Sequence, residues 1–571
     1  MQERLWILPE EFESQEALDL SDEININPTL AQMLVDRGVD TFDKAKTFFR
    51  PNINDLFDPF LMKDMDVAVD RLNEAISNGE KILVYGDYDV DGSTSVSMFY
   101  GFMRTHYDRL DYYIPDRYNE GYGVSTAGID YAKESGCTLI VSIDCGIKAI
   151  EKIEYAASLG IDFIVCDHHR PGEKLPPAIA VLDPKRDDCT YPFDELCGCG
   201  VAFKLLQGFC IQNTIDLEPL FDCLDLVAIA TASDIVPIVG ENRILTYYGL
   251  KKLNESPRPG IQALVDVSGF EKEITVSNIV FGIGPRINAA GRIDHARGAV
   301  EVLLAPTLEA ASGLAAKVNK NNNSRKDLDK SITKDAIQQI EMTPGFENAK
   351  SAVLYNANWH KGVIGIVASR CIENYYRPTI VLTESHGKAA GSARSVDGFD
   401  VYEAISDCSH LLEQFGGHKY AAGMTMEIDK IPAFREKFEE VVTKRITADQ
   451  LIPKIRIDAE LRFSQITGRF FNIMKQMEPF GPGNLRPQFM STNVCNAGGS
   501  RIVKEDHLKL DLSQDDGGKL QGIAFGMAHF YDQVNNGEPF DVCYTIEENT
   551  FRGNTTLQMM VIDLKFGKAR L

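Results

Sequence analysis

Several things are missing from this sequence, and each absence removes a class of protein. No apolar run reaches the roughly 18 residues that a membrane-spanning helix needs. The first residues, Met-Gln-Glu-Arg-Leu-Trp, carry no signal-peptide apolar core. No membrane association is expected, and a cytoplasmic location is. The 12 cysteines are scattered over 571 residues, and no pair at zinc-finger spacing has a matching second pair. Cys197-Gly-Cys199 and the remainder read as reduced thiols rather than a disulfide framework. A surplus of positive charge is also absent. The net charge of -24 argues against a surface coated in basic patches for duplex DNA, though not against a local basic groove.

What is present is an ordinary globular composition, 44% hydrophobic and 25% charged, in a chain long enough for three or four domains. Five segments are expected. Residues 1–80 form a helical extension packed on the first domain, with helices at 28–38, 41–50 and 64–78. Residues 81–304 alternate strand and helix and predict an α/β domain with a mostly parallel sheet. Residues 305–345 read as a connecting helix, 346–447 as a second α/β domain, and 448–571 as a small β-barrel of the OB type, built from strands near 455–463, 500–512, 519–525, 540–548 and 555–565. OB-type barrels often hold single strands of nucleic acid.

The informative stretch is Ile82-Leu-Val-Tyr-Gly-Asp87-Tyr-Asp89-Val-Asp91-Gly-Ser-Thr-Ser95. A short apolar strand ends in Gly86, and three aspartates follow at alternate positions, so an extended segment would converge them before a helix from Thr94 to Arg104. Carboxylates that close repel unless a cation lies between them, and Mg²⁺ or Mn²⁺ favours such oxygen ligands. Alone, such a turn is more often a solvated acidic turn. Here the pattern repeats: Asp144 follows the strand 139–143, Asp167-His168-His169 follow 162–166, and Asp183 follows 179–182. Strand ends of a parallel sheet lie along one edge, so Asp89, Asp91, Asp144, Asp167, His168 and His169 predict a dinuclear metal site there. Asp234, closing the apolar helix 224–233, is a further candidate carboxylate; Asp225 within that helix is a weaker one.

Anion-binding candidates lie further on. Phe281 to Asp294 combines glycines with Arg286 and Arg292, and arginine is the preferred fork for phosphate. Gly391-Ser392-Ala-Arg394-Ser395 and Phe415-Gly-Gly-His418-Lys-Tyr-Ala-Ala-Gly423 read as glycine-rich turns suited to close approach of an anion. Tight packing is the competing explanation of those glycines.

Taken together, Gly86-Asp-Tyr-Asp-Val-Asp-Gly92, Ser142-Ile-Asp-Cys-Gly146, Asp167-His-His169, Thr231-Ala-Ser-Asp234 and Gly416-Gly-His-Lys-Tyr-Ala-Ala-Gly423 resemble the ordered motifs of the DHH phosphoesterase superfamily with its DHHA1 companion domain. The length and the C-terminal β-domain are similar to those of its bacterial single-stranded-DNA exonucleases, and the resemblance covers the chain from about residue 80 onward. It implies metal ligands at Asp89, Asp91, Asp144, His168 and Asp234. Asp87 is a ligand or a carboxylate just behind the ligands, His169 a contact to a phosphate oxygen, and Asp167 a group that orients the histidines. Arg117, in Ile114-Pro-Asp-Arg117-Tyr-Asn-Glu-Gly-Tyr-Gly123, faces the nucleic acid by the same resemblance. Ser392, Arg394 and Ser395 hold the 5′-phosphate end. The implied activity is 5′→3′ hydrolysis of single-stranded DNA by two Mn²⁺ or Mg²⁺ ions, in DNA repair and recombination. Its expected partners are a helicase and a single-stranded-DNA-binding protein. A ring built from two domains of one chain needs no second copy, so a monomer is expected. The alternatives are a phosphoesterase for short oligonucleotides or cyclic dinucleotides, which lacks the long C-terminal β-domain, and an inactive scaffold, which loses the motif acids kept here.

Overall fold

The computed structural model describes residues 4–567 and divides into two compact units. The first comprises residues up to Leu5, Phe57–Val236 and Tyr248–Pro453; the second comprises Trp6–Leu56, Pro237–Tyr247 and the residues from Lys454 onward.

The first unit opens with a five-stranded parallel sheet. Its strands are β1 (Lys81–Gly86), β2 (Leu110–Tyr113), β3 (Cys137–Ile143), β4 (Asp162–Cys166) and β5 (Ala180–Leu182), in the order β2-β1-β3-β4-β5. Both faces are covered, so the strands read as near-continuous apolar runs; Leu83, Val84, Ile140, Val141, Ile164 and Val165 are fully buried. The apolar runs 82–85, 110–114, 139–143, 162–166 and 179–182 each fall on one of the five strands. The register Ile143↔Cys166 and Cys166↔Leu182 brings the C-terminal ends of β3, β4 and β5 level. The chain order changes direction at β1, and such a switch point is where open α/β sheets place ligands.

A 34-residue helix, Leu308–Glu341, leads to a second sheet in the same unit. Its strands are β6 (Ala352–Tyr355), β7 (Thr379–Ser385), β8 (Lys388–Arg394), β9 (Gln414–His418) and β10 (Ala421–Met426), ordered β9-β10-β8-β7-β6 with only β6 and β7 parallel. The two glycine-rich segments expected as turns are therefore mostly strand. Gly391 is there for packing: a Cβ on it would lie 2.5 Å from Leu382 Cδ2 and 3.0 Å from Met424 Cγ.

The second unit holds a closed barrel. Its strands are β11 (Ala459–Glu460), β12 (Phe489–Asn496), β13 (Arg501–Val503), β14 (His507–Ser513), β15 (Lys519–Ala524), β16 (Phe540–Phe551) and β17 (Asn554–Phe566). The order is β11-β12-β16-β17-β15-β14-β13, and β12 also pairs with β14 at Cys495↔Ser513, which closes the ring. The closing strand β12 is absent from the sequence expectation, and the run 500–512 proves to be two strands.

The expected packing of the N-terminal extension on the first α/β domain is corrected. Residues 57–80 belong to the first unit, but 6–56 belong to the second. Leu20, Leu30, Met33, Leu34 and Phe48 share one buried cluster with Phe470, Phe489, Leu510, Val542 and Tyr544 of the barrel unit. Arg243 reinforces the join. Its guanidinium lies 3.8 Å from the Phe48 ring centre and donates to the carbonyls of Phe48 (3.0 and 3.1 Å), Met477 (3.1 Å) and Glu478 (2.9 Å).

Candidate metal centre and phosphate cradle

The acids converge at the edge of the parallel sheet, but by a different route from strand alternation. The helix after β1 starts at Val90, not Thr94. Asp87 directly follows the strand, Asp89 caps the helix by accepting from Gly92 N–H at 3.0 Å, and Asp91 lies in the first turn. Gly92 permits the tight fold-back, because a Cβ there would stand 2.3 Å from the Asp87 carbonyl oxygen. The start of a second helix, Gly198–Gln212, clamps Asp91: Gly198 N–H donates to Oδ2 at 2.6 Å and Cys199 N–H to Oδ1 at 2.8 Å. Asp144 follows β3 in a left-handed conformation, φ 62°, uncommon for a non-glycine residue and typical of sites held by their surroundings. Asp234 is the C-cap of the helix Leu224–Ser233.

His168 stands among them. Its Nε2 lies 3.2 Å from Asp144 Oδ1, 3.6 Å from Asp234 Oδ2 and 3.8 Å from Asp91 Oδ2. Two groups have ligand atoms within 4.8 Å of one another, Asp144-His168-His169 and Asp91-His168-Asp234. Asp87 Oδ2, Asp144 Oδ2 and His168 Nδ1 are buried with no hydrogen-bond partner. Burial, with Asp89 as the next cause, pushes Asp91 up to about 7 and raises Asp87 well above the carboxylate range. Burial followed by Asp91 and Asp89 takes Asp234 to about 8 and raises Asp144 well above that range too. Burial pushes His168 down to about 3, leaving it a neutral imidazole. Orphaned carboxylate oxygens, mutual repulsion and a neutral imidazole are the donor set of a hard divalent cation. The residues present fit such a group.

Asp167 has another task. Its Oδ1 accepts from His168 N–H (2.8 Å), His169 N–H (3.2 Å) and His169 Nδ1 (2.7 Å), and Oδ2 accepts from Ile147 N–H (2.9 Å). Burial works against its charge, but these donors, led by His169, bring it down to about 2. The same bond outweighs burial on His169 and holds that imidazole up to about 9. With Nδ1 on Asp167 and Nε2 3.0 Å from the Tyr122 hydroxyl, both ring nitrogens of His169 face hydrogen-bond partners.

The second assembly is basic. Arg292 donates to Gly362 O at 2.9 Å, and its pKa is lowered to about 10 by burial and then by Arg117, Arg325 and Arg394. Arg394 donates to Ser392 Oγ at 3.1 Å, and a Cβ on Gly365 would stand 2.9 Å from both Arg394 Nη2 and Ser392 Oγ. Arg325 Nε is buried without a partner. Arginines that depress one another and leave donors free make a cradle for an anion. Arg117 joins it to the acidic edge: its guanidinium lies 4.7 Å from the ring centre of Tyr88, between Asp87 and Asp89 in the chain. His418, at the end of β9, is close enough to His169, Lys148 and Lys185 for burial and their charges to lower its pKa.

Two expectations change. Arg286 is not in the cradle; its guanidinium is spent on Gly282 O (2.8 Å), Val267 O (3.0 Å) and Asn319 Oδ1 (3.0 Å). The Ser395 hydroxyl donates to Phe399 O at 2.8 Å and serves the turn after β8. Arg325 was not anticipated, because it sits in a polar helix whose sequence reads as a solvated connector. The Gly198 and Cys199 N–H groups were also missed, since backbone donors leave no trace in residue type beyond the glycine itself.

Family models match in the order the geometry implies: the DHH family N-terminal domain over residues 81–231, the DHHA1 domain over 348–444, and the RecJ OB domain over 457–563. Fold and site are thus those of a DHH-type phosphoesterase with its DHHA1 companion. The chain is 36% identical over 548 residues to the single-stranded-DNA-specific exonuclease RecJ of Bacillus subtilis, covering 95% of this chain and 69% of that one. It is 32% identical to the RecJ of Escherichia coli, covering 96% and 97%. The crystal structure of Thermus thermophilus RecJ in complex with Mn²⁺ superposes with a TM-score of 0.85 at 26% identity, covering 99% of this chain and 80% of that one. The chain belongs to the RecJ family of single-stranded-DNA-specific exonucleases.

Proposed function

We propose that this protein is a metal-dependent, single-stranded-DNA-specific exonuclease that works 5′→3′, in DNA repair and recombination. One observation carries the polarity: a cluster of buried arginines and the acidic metal edge lie in one compact unit, linked through Arg117 and Tyr88. Several arginines gathered against Gly365 suit the more highly charged terminal phosphate better than an internal one. Arg292, Arg325, Arg394 and Ser392 would hold the 5′-phosphate, and the following phosphodiester would meet the acidic edge.

Asp87, Asp89, Asp91, Asp144, His168 and Asp234 would hold two divalent cations, Mn²⁺ or Mg²⁺; the Thermus thermophilus relative was solved in complex with Mn²⁺. Bound there, such ions polarise the phosphodiester and lower the pKa of water. His169, kept cationic by Asp167, donates from Nε2 to a non-bridging oxygen as charge develops. His418 approaches from the second sheet and shares that role. The barrel supports single-strand binding. Feeding such an enzyme calls for a helicase and a single-stranded-DNA-binding protein as partners. A cytoplasmic monomer suits this reading: no helix among the described residues is long and apolar enough to cross a membrane, and both sites come from one chain.

The test is degradation of single strands labelled at either end, beside matched duplex, with Mn²⁺, Mg²⁺ or chelator. The expected result is short products from the 5′ end of the single strand only, abolished by chelator. A matching strand with a 5′-hydroxyl should be cut less efficiently, and Arg394→Ala should erase that preference. Release from the 3′ end would overturn the assignment of the cradle.

A further inference from the structure

The long helix Leu308–Glu341 packs against two shorter ones, Gly284–Ile293 and Ile364–Tyr375. Residues three apart on a helix are neighbours, and a line of them winds slowly round it. Asn319 begins one such line, and its Oδ1 accepts from Arg286 Nε of the first short helix at 3.0 Å. Leu328 ends the line, packed in one cluster with Val363 and Ile364 at the start of the second. Asn322 and Arg325 fall between them, on the side where the two short helices come together. Arg292 bridges that gap by donating to Gly362 O at 2.9 Å, and Gly365 lies against Arg394 and Ser392 beyond it.

Asn322 is fully buried, although it sits in the polar run Lys320-Asn-Asn-Asn-Ser-Arg-Lys326. Its Oδ1 accepts from Arg325 Nη2 at 3.1 Å, while Asn322 Nδ2 and Arg325 Nε are both buried without a partner. A carboxylate is at hand on the same helix. Asp329 stands one turn beyond Arg325, at a spacing where ion pairs form. It lies 3.3 Å from the Thr333 hydroxyl instead and makes no ion pair with Arg325 among the described residues. The preference for an amide has a chemical consequence. An amide oxygen fixes the plane of a guanidinium without cancelling its charge, whereas a carboxylate does both. We infer that Asn322 is a positioning residue for the terminal phosphate: it holds the Arg325 guanidinium toward the cradle as an uncompensated cation. A monoester at the strand's end carries up to two charges, a 5′-hydroxyl none, and one more uncompensated arginine tells them apart. This inference rests on the reading of the arginine cluster as a 5′-phosphate site.

The test is the ratio of kcat/KM for a 5′-phosphorylated strand to that for a 5′-hydroxyl strand of the same sequence, measured with Mn²⁺. Asn322→Ala should lower this ratio about tenfold, the worth of one hydrogen bond to a charged group, through KM for the phosphorylated strand. Asn322→Asp keeps the size and an accepting oxygen, so its thermal melting should match that of the native chain. It also brings the neutralising charge, so the ratio should fall as well. In an Arg325→Ala background, Asn322→Ala should leave the ratio where Arg325→Ala put it, because the amide acts through that guanidinium. Equal losses on the two strands, an undiminished ratio in Asn322→Asp, or the same tenfold fall with Arg325 already removed would overturn the inference. A native enzyme indifferent to the 5′ end is a different failure: it removes the cradle reading, and this inference with it.

Discussion

Asp144 concentrates the demands of the site in one residue. Its backbone is left-handed, its carboxyl is buried, Oδ1 faces His168 and Oδ2 has no partner. Replacing it with Ala should reduce cleavage by more than about 100-fold, beyond what loss of a merely supporting group costs. Binding of a 5′-phosphorylated strand, carried by the arginine cradle, should change little; single-turnover cleavage and anisotropy measure the two. Parallel loss of both would make Asp144 a structural residue. The raised acids also set a pH dependence. Asp91 at about 7 and Asp234 at about 8 keep protons in the folded state that the unfolded chain releases near the ordinary carboxylate value of 3.8. Their stabilising contribution is full below that value, falls progressively above it and is gone by about pH 7 and 8, and His169, raised from 6.5 to about 9, acts in the same direction over that higher range. A bound cation takes the deprotonated ligands and offsets the loss. Chelator-treated protein should therefore lose more thermal stability than Mn²⁺-loaded protein as pH rises from about 4 to about 8. Equal slopes in calorimetry would mean that these acids do not bind the ion.

One helix start touches two of the acids at once. The helix Gly198–Gln212 presents two N–H groups to Asp91, and its positive end lies toward the acids. Gly198 sits so close that a Cβ would be 2.6 Å from Asp144 Cβ and 2.8 Å from its Cα. Gly198→Ala must displace either this helix or Asp144, at an expected cost of about 1–3 kcal/mol as for other overpacked positions. The displacement moves ligand positions, so cleavage should fall by more than the stability does. Gly208→Ala in the same helix meets only the Met65 and Val69 side chains, at 3.3 Å, and should keep activity. Equal activity in the two variants would remove the helix start from the site. The Cys197-Gly-Cys199 stretch reads as a thiol pattern in the sequence, although its function here lies in backbone donors and a missing side chain. The strand-end acids were legible because a carboxylate shows in residue type and a parallel sheet brings its strand ends to one edge. Asp91 was placed correctly at the edge for a partly wrong reason, since the turn into a helix converges the acids, not an extended run.

At the scale of the molecule, local patterns gave the elements and distant contacts decided their grouping. The apolar runs located all five strands of the parallel sheet. They could not assign residues 6–56 to the barrel unit, because the partners of those helices lie more than 400 positions away. Arg325 escaped for a related reason: its partners in the cradle come from three other segments. The N-terminal grouping makes a measurable claim. Leu30 is fully buried in the helix Pro28–Val35, in the same cluster as Phe470, Phe489 and Tyr544. Leu30→Ala leaves a cavity there and should cost about 2–5 kcal/mol. Hydrogen exchange should then quicken in β12 to β17, while the amides of β1 to β5 keep their protection, because the cavity opens in a core that those strands do not share. If exchange quickens in the parallel sheet and not in the barrel, the N-terminal helices belong with the catalytic core after all.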